Sequence, residues 1–269
     1  MATTDIDEVL SRLDAVIARA VEDGDRSGYF AVLYRKVTAK VKEGIEAGFF
    51  DDAERMGRLD SLFAERYFEA VAARDAGENP TASWQLTFEA ALRRRPLVLQ
   101  HLLAGINAHI NLDLGIAAAR CSPGDELPDL RRDFDRINAV LASVIGVVQE
   151  DLQRISPWMG LLDRVGARTQ TELIRFSIVT ARAGAWRFAT QLATTPESAW
   201  ATLIEDRDRR VTRVGERVLR PGRLMGAGLL LVRLRERQDV AADLALLLGA
   251  PEPSLEMIEQ NVDDPTVDG

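Results

Sequence analysis

Cysteine, histidine and lysine are almost missing from this 269-residue chain. The single cysteine, Cys121, rules out an internal disulfide and any cysteine-built zinc site. Two histidines, His101 and His109, are too few for a metal centre rich in imidazole ligands. Three lysines stand against 31 arginines, a bias compatible with a GC-rich coding sequence. Excess positive charge is also lacking. The formal net charge of −8 argues against a general nucleic-acid binder and against a protein that lies on an anionic membrane. No phosphate-binding Gly-rich loop, dinucleotide turn or Gly-x-Ser-x-Gly elbow occurs. Strand-like alternation never exceeds a few residues, and neither an internal repeat nor a long linker is found. The amino-terminal stretch lacks the basic start and apolar centre of a secretory signal, so a cytoplasmic location is expected.

What is present is helical periodicity over most of the length, with 46% hydrophobic residues to build a core. Ile6, Val9, Leu13, Val16 and Ile17 follow helical spacing after a capping-box-like Thr4-x-x-Asp7, and Gly24 closes that helix. A second helix is expected over 27–46. Asp51 is the expected cap of a third, which carries Met56, Leu59, Leu62, Phe63 and Tyr67. Trp84, Phe88 and Leu92 mark a fourth, and Pro96 suits the first turn of a fifth. Pro128 opens a long sixth helix, followed by a short amphipathic piece with Trp158 and Leu162. Helices over 169–192 and after Thr195-Pro196-Glu197 come next, with Pro221-Gly222 as a break. The expectation is an all-α, single-domain multi-helix bundle over 1–250 with a central buried helix at about 97–120. An acidic tail over 251–269 is expected to fray.

That central run is apolar on nearly every face, which normally means burial. The chain nonetheless places His101, Asn107, His109, Asn111 and Asp113 in it. Polar groups carried into such a place lose several kcal/mol unless they find partners. His109 and Asp113 are four apart and lie about 40° from one another on one face. Asn107 and Asn111 share another face, and Gly105 leaves room for a ligand or a backbone to approach. An Asp on the turn after a His can fix its tautomer and raise its basicity, which suits a general base. The pair could instead help ligate a metal, or form a structural knot between helices. The segment Gly105-Ile-Asn-Ala-His-Ile-Asn-Leu-Asp-Leu114 resembles the signature of an uncharacterised bacterial family of helical proteins. That resemblance implies a place for the site, at Asn107, His109, Asn111 and Asp113, and no particular chemistry.

Other groups can join this cluster. Asn138 on the sixth helix would face His109 if that helix packs antiparallel to the fifth. Arg175, Arg182 and Trp186 could clamp an anionic or aromatic ligand, with Asp113 as an alternative ion-pair partner for an arginine. Arg207, Arg210, Arg213, Arg217 and Arg220 read as a solvated stripe interleaved with acids. The expected function is an enzyme acting on a largely apolar small molecule. His109 and Asp113 would be catalytic, and Asn107, Asn111, Asn138, Arg175, Arg182 and Trp186 would bind substrate. The alternatives are a non-catalytic binding or scaffold protein and a metal-dependent oxygenase or lyase. No nucleic acid and no membrane span are expected, a homodimer is compatible with the general frequency of such assemblies, and the cofactor is left open.

Overall fold

The computed structural model describes residues 2–156, 170–221 and 223–249. Side chains are described there except at 2–5, 142, 145–147, 149–150, 170–177 and 223–227. The piece around Trp158, the tail over 251–269 and the side chain of Arg175 therefore lie outside the described residues. Eleven α-helices and no strand are found among the described residues, so the fold is all-α.

Helix α1 (Ala2–Asp23) starts ahead of Thr4, so the capping box expected there lies inside the helix. It buries Ile6, Val9, Leu13, Val16, Ile17 and Ala20 on one stripe and ends at Gly24, whose φ of +63° suits a residue without Cβ. Helix α2 (Gly28–Glu46) is buried over most of its length. Helix α3 (Ala53–Asp75) is capped by Asp52, whose carboxylate accepts from Arg55 N at 2.9 Å; Asp51, the expected cap, instead pairs with Arg136 and Arg132. Helix α4 (Ala82–Ala91) has no local side-chain cap. Its first amides donate to Asp208, Ala82 N at 2.6 Å and Ser83 N at 3.0 Å.

The central rod is α5 (Val98–Ala108), a five-residue π turn (His109–Asp113) and α6 (Leu114–Cys121). Pro96 falls outside α5, whose N-cap is Leu97; Gln100 closes a capping box by accepting Leu97 N at 3.0 Å. Glu236 accepts Val98 N at 3.1 Å and so satisfies a further end amide. The expected sixth helix opens as a 3-10 turn (Gly124–Leu130) that contains Pro128, and only then becomes α7 (Arg131–Ile155). Helices α8 (Gln170–Ala193), α9 (Trp200–Leu219), α10 (Arg223–Arg233) and α11 (Val240–Gly249) follow, with a 3-10 turn at Glu197–Ala199 ahead of α9.

The rod packs through α5 on α2, α4 and α9, and through α6 on α3 and α8. The π turn touches α3, α8 and α9. Val98–Cys121 is the one segment among the described residues long and apolar enough to cross a membrane. As much as 83% of its most apolar window is buried inside the protein, so the packing already covers it as a core helix. Gly105 does not leave open space: a Cβ there would stand 2.4 Å from Phe30 Cγ, so the ring of α2 occupies the gap.

Candidate functional site

The polar spot forms where the rod changes its winding. At the π turn the Leu114 amide bonds the His109 carbonyl, five residues back. The Asn111 carbonyl accepts from Arg207 Nε at 2.8 Å, a side chain inserted from α9. Such widened turns are frequent at functional sites.

His109 is only 2% exposed and Asp113 is fully buried. The imidazole Nδ1 lies 3.2 Å from Asp113 Oδ2, and the same oxygen accepts from Trp84 Nε1 at 2.8 Å. Arg66 Nε stands 3.5 Å from Asp113 Oδ1, beyond good hydrogen-bond geometry but close enough for ion pairing. The imidazole lies flat on the Phe63 ring, centroids 3.6 Å apart and planes 8° apart, with Tyr34 edge-on at 4.5 Å. Its Nε2 is buried and has no hydrogen-bond partner in the protein. Burial pulls the His109 pKa below its ordinary value of 6.5, although Asp113 works against that shift. The ring is therefore neutral at neutral pH, with Asp113 favouring the proton on Nδ1 and a lone pair on Nε2.

Beside it lies a cavity of about 60 Å³ among α2, α3, the rod, α7 and α8. Its wall is mostly aliphatic and aromatic, including Leu33, Val41, Phe63, Ile110 and Leu141. Polar side chains on that wall come from Tyr34, Asp60, His109 and Arg182. Asp60 is 7% exposed, and burial with no compensating cation pushes its carboxyl up to about 7. Burial also raises the Tyr34 phenol well above its ordinary value, with Asp60 and Asp113 adding to the effect. Arg182 is 3% exposed, and burial lowers its guanidinium to about 9, so it stays charged at neutral pH.

The structure separates the residues singled out from the sequence. His109 and Arg182 both line the cavity, with Asp113 behind the histidine. Asn138 is off the cavity wall and accepts from Arg182 Nε at 2.6 Å. Arg182 does not pair with Asp113; its Nη2 donates to the Phe134 carbonyl, and its Cζ lies 4.3 Å above the Phe134 ring. Trp186 is off the cavity wall, tilted against Phe134 at 4.9 Å, with Arg131 rather than Arg182 over its ring. Asn107 and Asn111 are likewise off that wall: Asn107 Nδ2 donates to the Val211 carbonyl at 2.9 Å, and Asn111 Nδ2 donates to Asn107 Oδ1 at 3.1 Å. They stitch the rod to α9. His101 lies two turns from His109 in a smaller space with Phe88 and Tyr67, and burial lowers its pKa to about 4.

Sequence reasoning missed Trp84, Arg66, Phe63 and Asp60 as parts of the site. Asp60 carried a readable signal: Met56, Asp60, Phe63 and Tyr67 fall on one helical stripe, so the carboxyl interrupts an apolar face. Among the described residues no three His, Cys, Asp or Glu side chains converge to hold a metal ion.

This chain belongs to DUF5995, a family of unknown function, which matches it over residues 6–221. The matched span holds the rod and every residue that lines the cavity, and ends before α10. No curated protein and no solved structure matches the chain.

Proposed function

We propose that this member of DUF5995 is a cytoplasmic enzyme that takes a small, mainly apolar molecule into the cavity and withdraws a proton from it. The single observation that carries this reading is His109: a neutral, buried imidazole on the cavity wall, with Nδ1 engaged by Asp113 and Nε2 unpartnered. A proton leaving the bound molecule passes to Nε2. The imidazolium so formed is stabilised by Asp113, which Trp84 and Arg66 hold in place. The apolar wall keeps water from competing for that proton.

The test can be run with the substrate unidentified. Small apolar molecules are screened by ligand-observed NMR, and each hit is incubated with the protein in D2O and weighed for deuterium uptake. The wild type is expected to exchange at least one hit. His109→Gln is expected to bind it without exchange, and Val37→Phe, which fills the cavity, is expected to do neither. Equal exchange in His109→Gln removes His109 from the chemistry.

A second reading, a non-catalytic binding or scaffold protein, draws on the same hydrogen bonds. Asp113 joins α4, α3 and the rod, and the Asn107–Asn111 pair joins the rod to α9. On that reading His109→Gln lowers the melting temperature and no ligand exchanges.

A further inference from the structure

Arg182 is the anomaly of the cavity. A guanidinium that is 3% exposed normally faces a carboxylate, because an unpaired charge in an apolar interior is strongly disfavoured. No ion pair is made by Arg182 among the described residues. The acid that influences it most, Asp135, is bonded to Arg131 at 2.6 Å. What Arg182 has is one carbonyl, one side-chain amide oxygen and the face of Phe134. These partners engage Nε and Nη2 and leave Nη1 without a described acceptor.

The acid on the wall, Asp60, does not supply the missing charge. Asp60 enters from α3, and burial alone governs its carboxyl, with no cation offsetting it. Arg182 enters from α8, on a wall it shares with Ile178, Ile137 and Leu141. An anion inside the cavity would complete the guanidinium. The surrounding wall requires the remainder of that anion to be apolar.

We propose that the ligand of this cavity is a small monocarboxylate with an aliphatic or aromatic body, its carboxylate seated on Arg182. The inference rests on reading the cavity as a ligand site, and it adds the substrate class. Phosphate esters and sugars fit poorly, because their many polar atoms would meet aliphatic wall without partners. The carboxylate replaces the water that the charged guanidinium would otherwise hold, and the body fills space between Ile137, Ile110 and Phe63. Asn138 and the Phe134 carbonyl fix the plane of the fork before the ligand arrives.

The experiment compares acids with their neutral isosteres. Straight-chain carboxylates from propionate to hexanoate, and phenylacetate, are titrated calorimetrically into the wild-type protein beside the matching primary amides. At least one acid is expected to bind about ten-fold or more tighter than its amide. Arg182→Met is expected to abolish that preference while leaving amide affinity within about two-fold, and Arg182→Lys to retain part of it. A purely structural Arg182 would change stability in these variants without changing the ratio of acid to amide. Equal affinity of acids and amides in the wild type overturns the proposal and leaves the cavity standing as a site for neutral ligands. Absence of binding by every probe overturns both the proposal and the ligand reading beneath it. If Arg182→Met does not fold, the wild-type ratio and Arg182→Lys decide the question.

Discussion

Replacing Asp60 by Asn should turn a hidden electrostatic cost into a measurable pH dependence. Asp60 is buried on the apolar stripe of α3, and its carboxyl titrates near 7 in the fold against an ordinary value of 3.8. A group with a raised folded pKa binds its proton more tightly in the folded protein. The contribution of Asp60 to wild-type stability is therefore largest below about pH 4, falls as pH rises, and levels off above about pH 7. At 1.36 kcal/mol per pH unit, the interval from 3.8 to about 7 sets a ceiling of about 4 kcal/mol. Asn keeps the shape and cannot ionise. Its unpartnered amide shifts the whole curve by a constant amount and leaves the slope alone. Urea unfolding followed by circular dichroism, run on both proteins between about pH 4 and pH 8, gives the difference directly. Every other titrating group cancels in that difference. Asp60→Asn should gain on the wild type steadily across the interval, by a few kcal/mol at the alkaline end. A difference that stays flat with pH would show that Asp60 finds a counter-charge or water, and the account of Asp60 as buried without compensation would fail.

Three further outcomes follow from the packing. Gly105→Ala should cost about 1–3 kcal/mol or more, because its Cβ would come within 2.4 Å of a Phe30 ring already held by Tyr67, Trp84 and His109; unchanged urea stability would contradict the close approach. Trp84→Phe keeps most of the aromatic packing but removes the 2.8 Å donor to buried Asp113. A loss of about 1–3 kcal/mol is expected, and a neutral result would mean that Asp113 does not depend on it. Asp208→Ala frees the first amides of α4, and about 1–2 kcal/mol should be lost. Hydrogen exchange should rise first in the opening turn of α4, and protection unchanged there would refute the cap assigned to α9.

The helices and their central rod were legible because they follow from local periodicity: an apolar run from 97 to 120 must be enclosed, and it is. His109 and Asp113 were legible for the same reason, since helical geometry puts i and i+4 on one side. What escaped is long-range. Asp208 capping α4 and Glu236 capping α5 join residues more than a hundred positions apart, and no local pattern announces them. The roles of Asn107 and Asn111 depended on which face α9 would cover, which spacing cannot tell. Gly105 read as open space until Phe30 of α2 filled it. The π turn was also invisible, because none of its residues is of a shape that an α-helix excludes, and the Arg207 side chain that bonds the Asn111 carbonyl arrives from a distant helix.

What the fold gains from its polar groups distinguishes a site from a packing defect. A packing defect between helices is lined by apolar atoms and stays dry. Leu at position 60 would extend the stripe of Met56, Phe63 and Tyr67 and remove a buried acid, so stability alone gives no reason for Asp60. Arg182 differs in kind. Its bonds to the Phe134 carbonyl and Asn138 tie α8 to α7, so part of its presence is structural, but a neutral donor could make those bonds without a buried charge. The charge itself is the surplus. An unpaired cation, an acid held near neutrality and an imidazole with a free lone pair on one aliphatic wall are three separate electrostatic costs to stability. A single bound molecule with an acidic end and a proton to give would reduce the first and make use of the third.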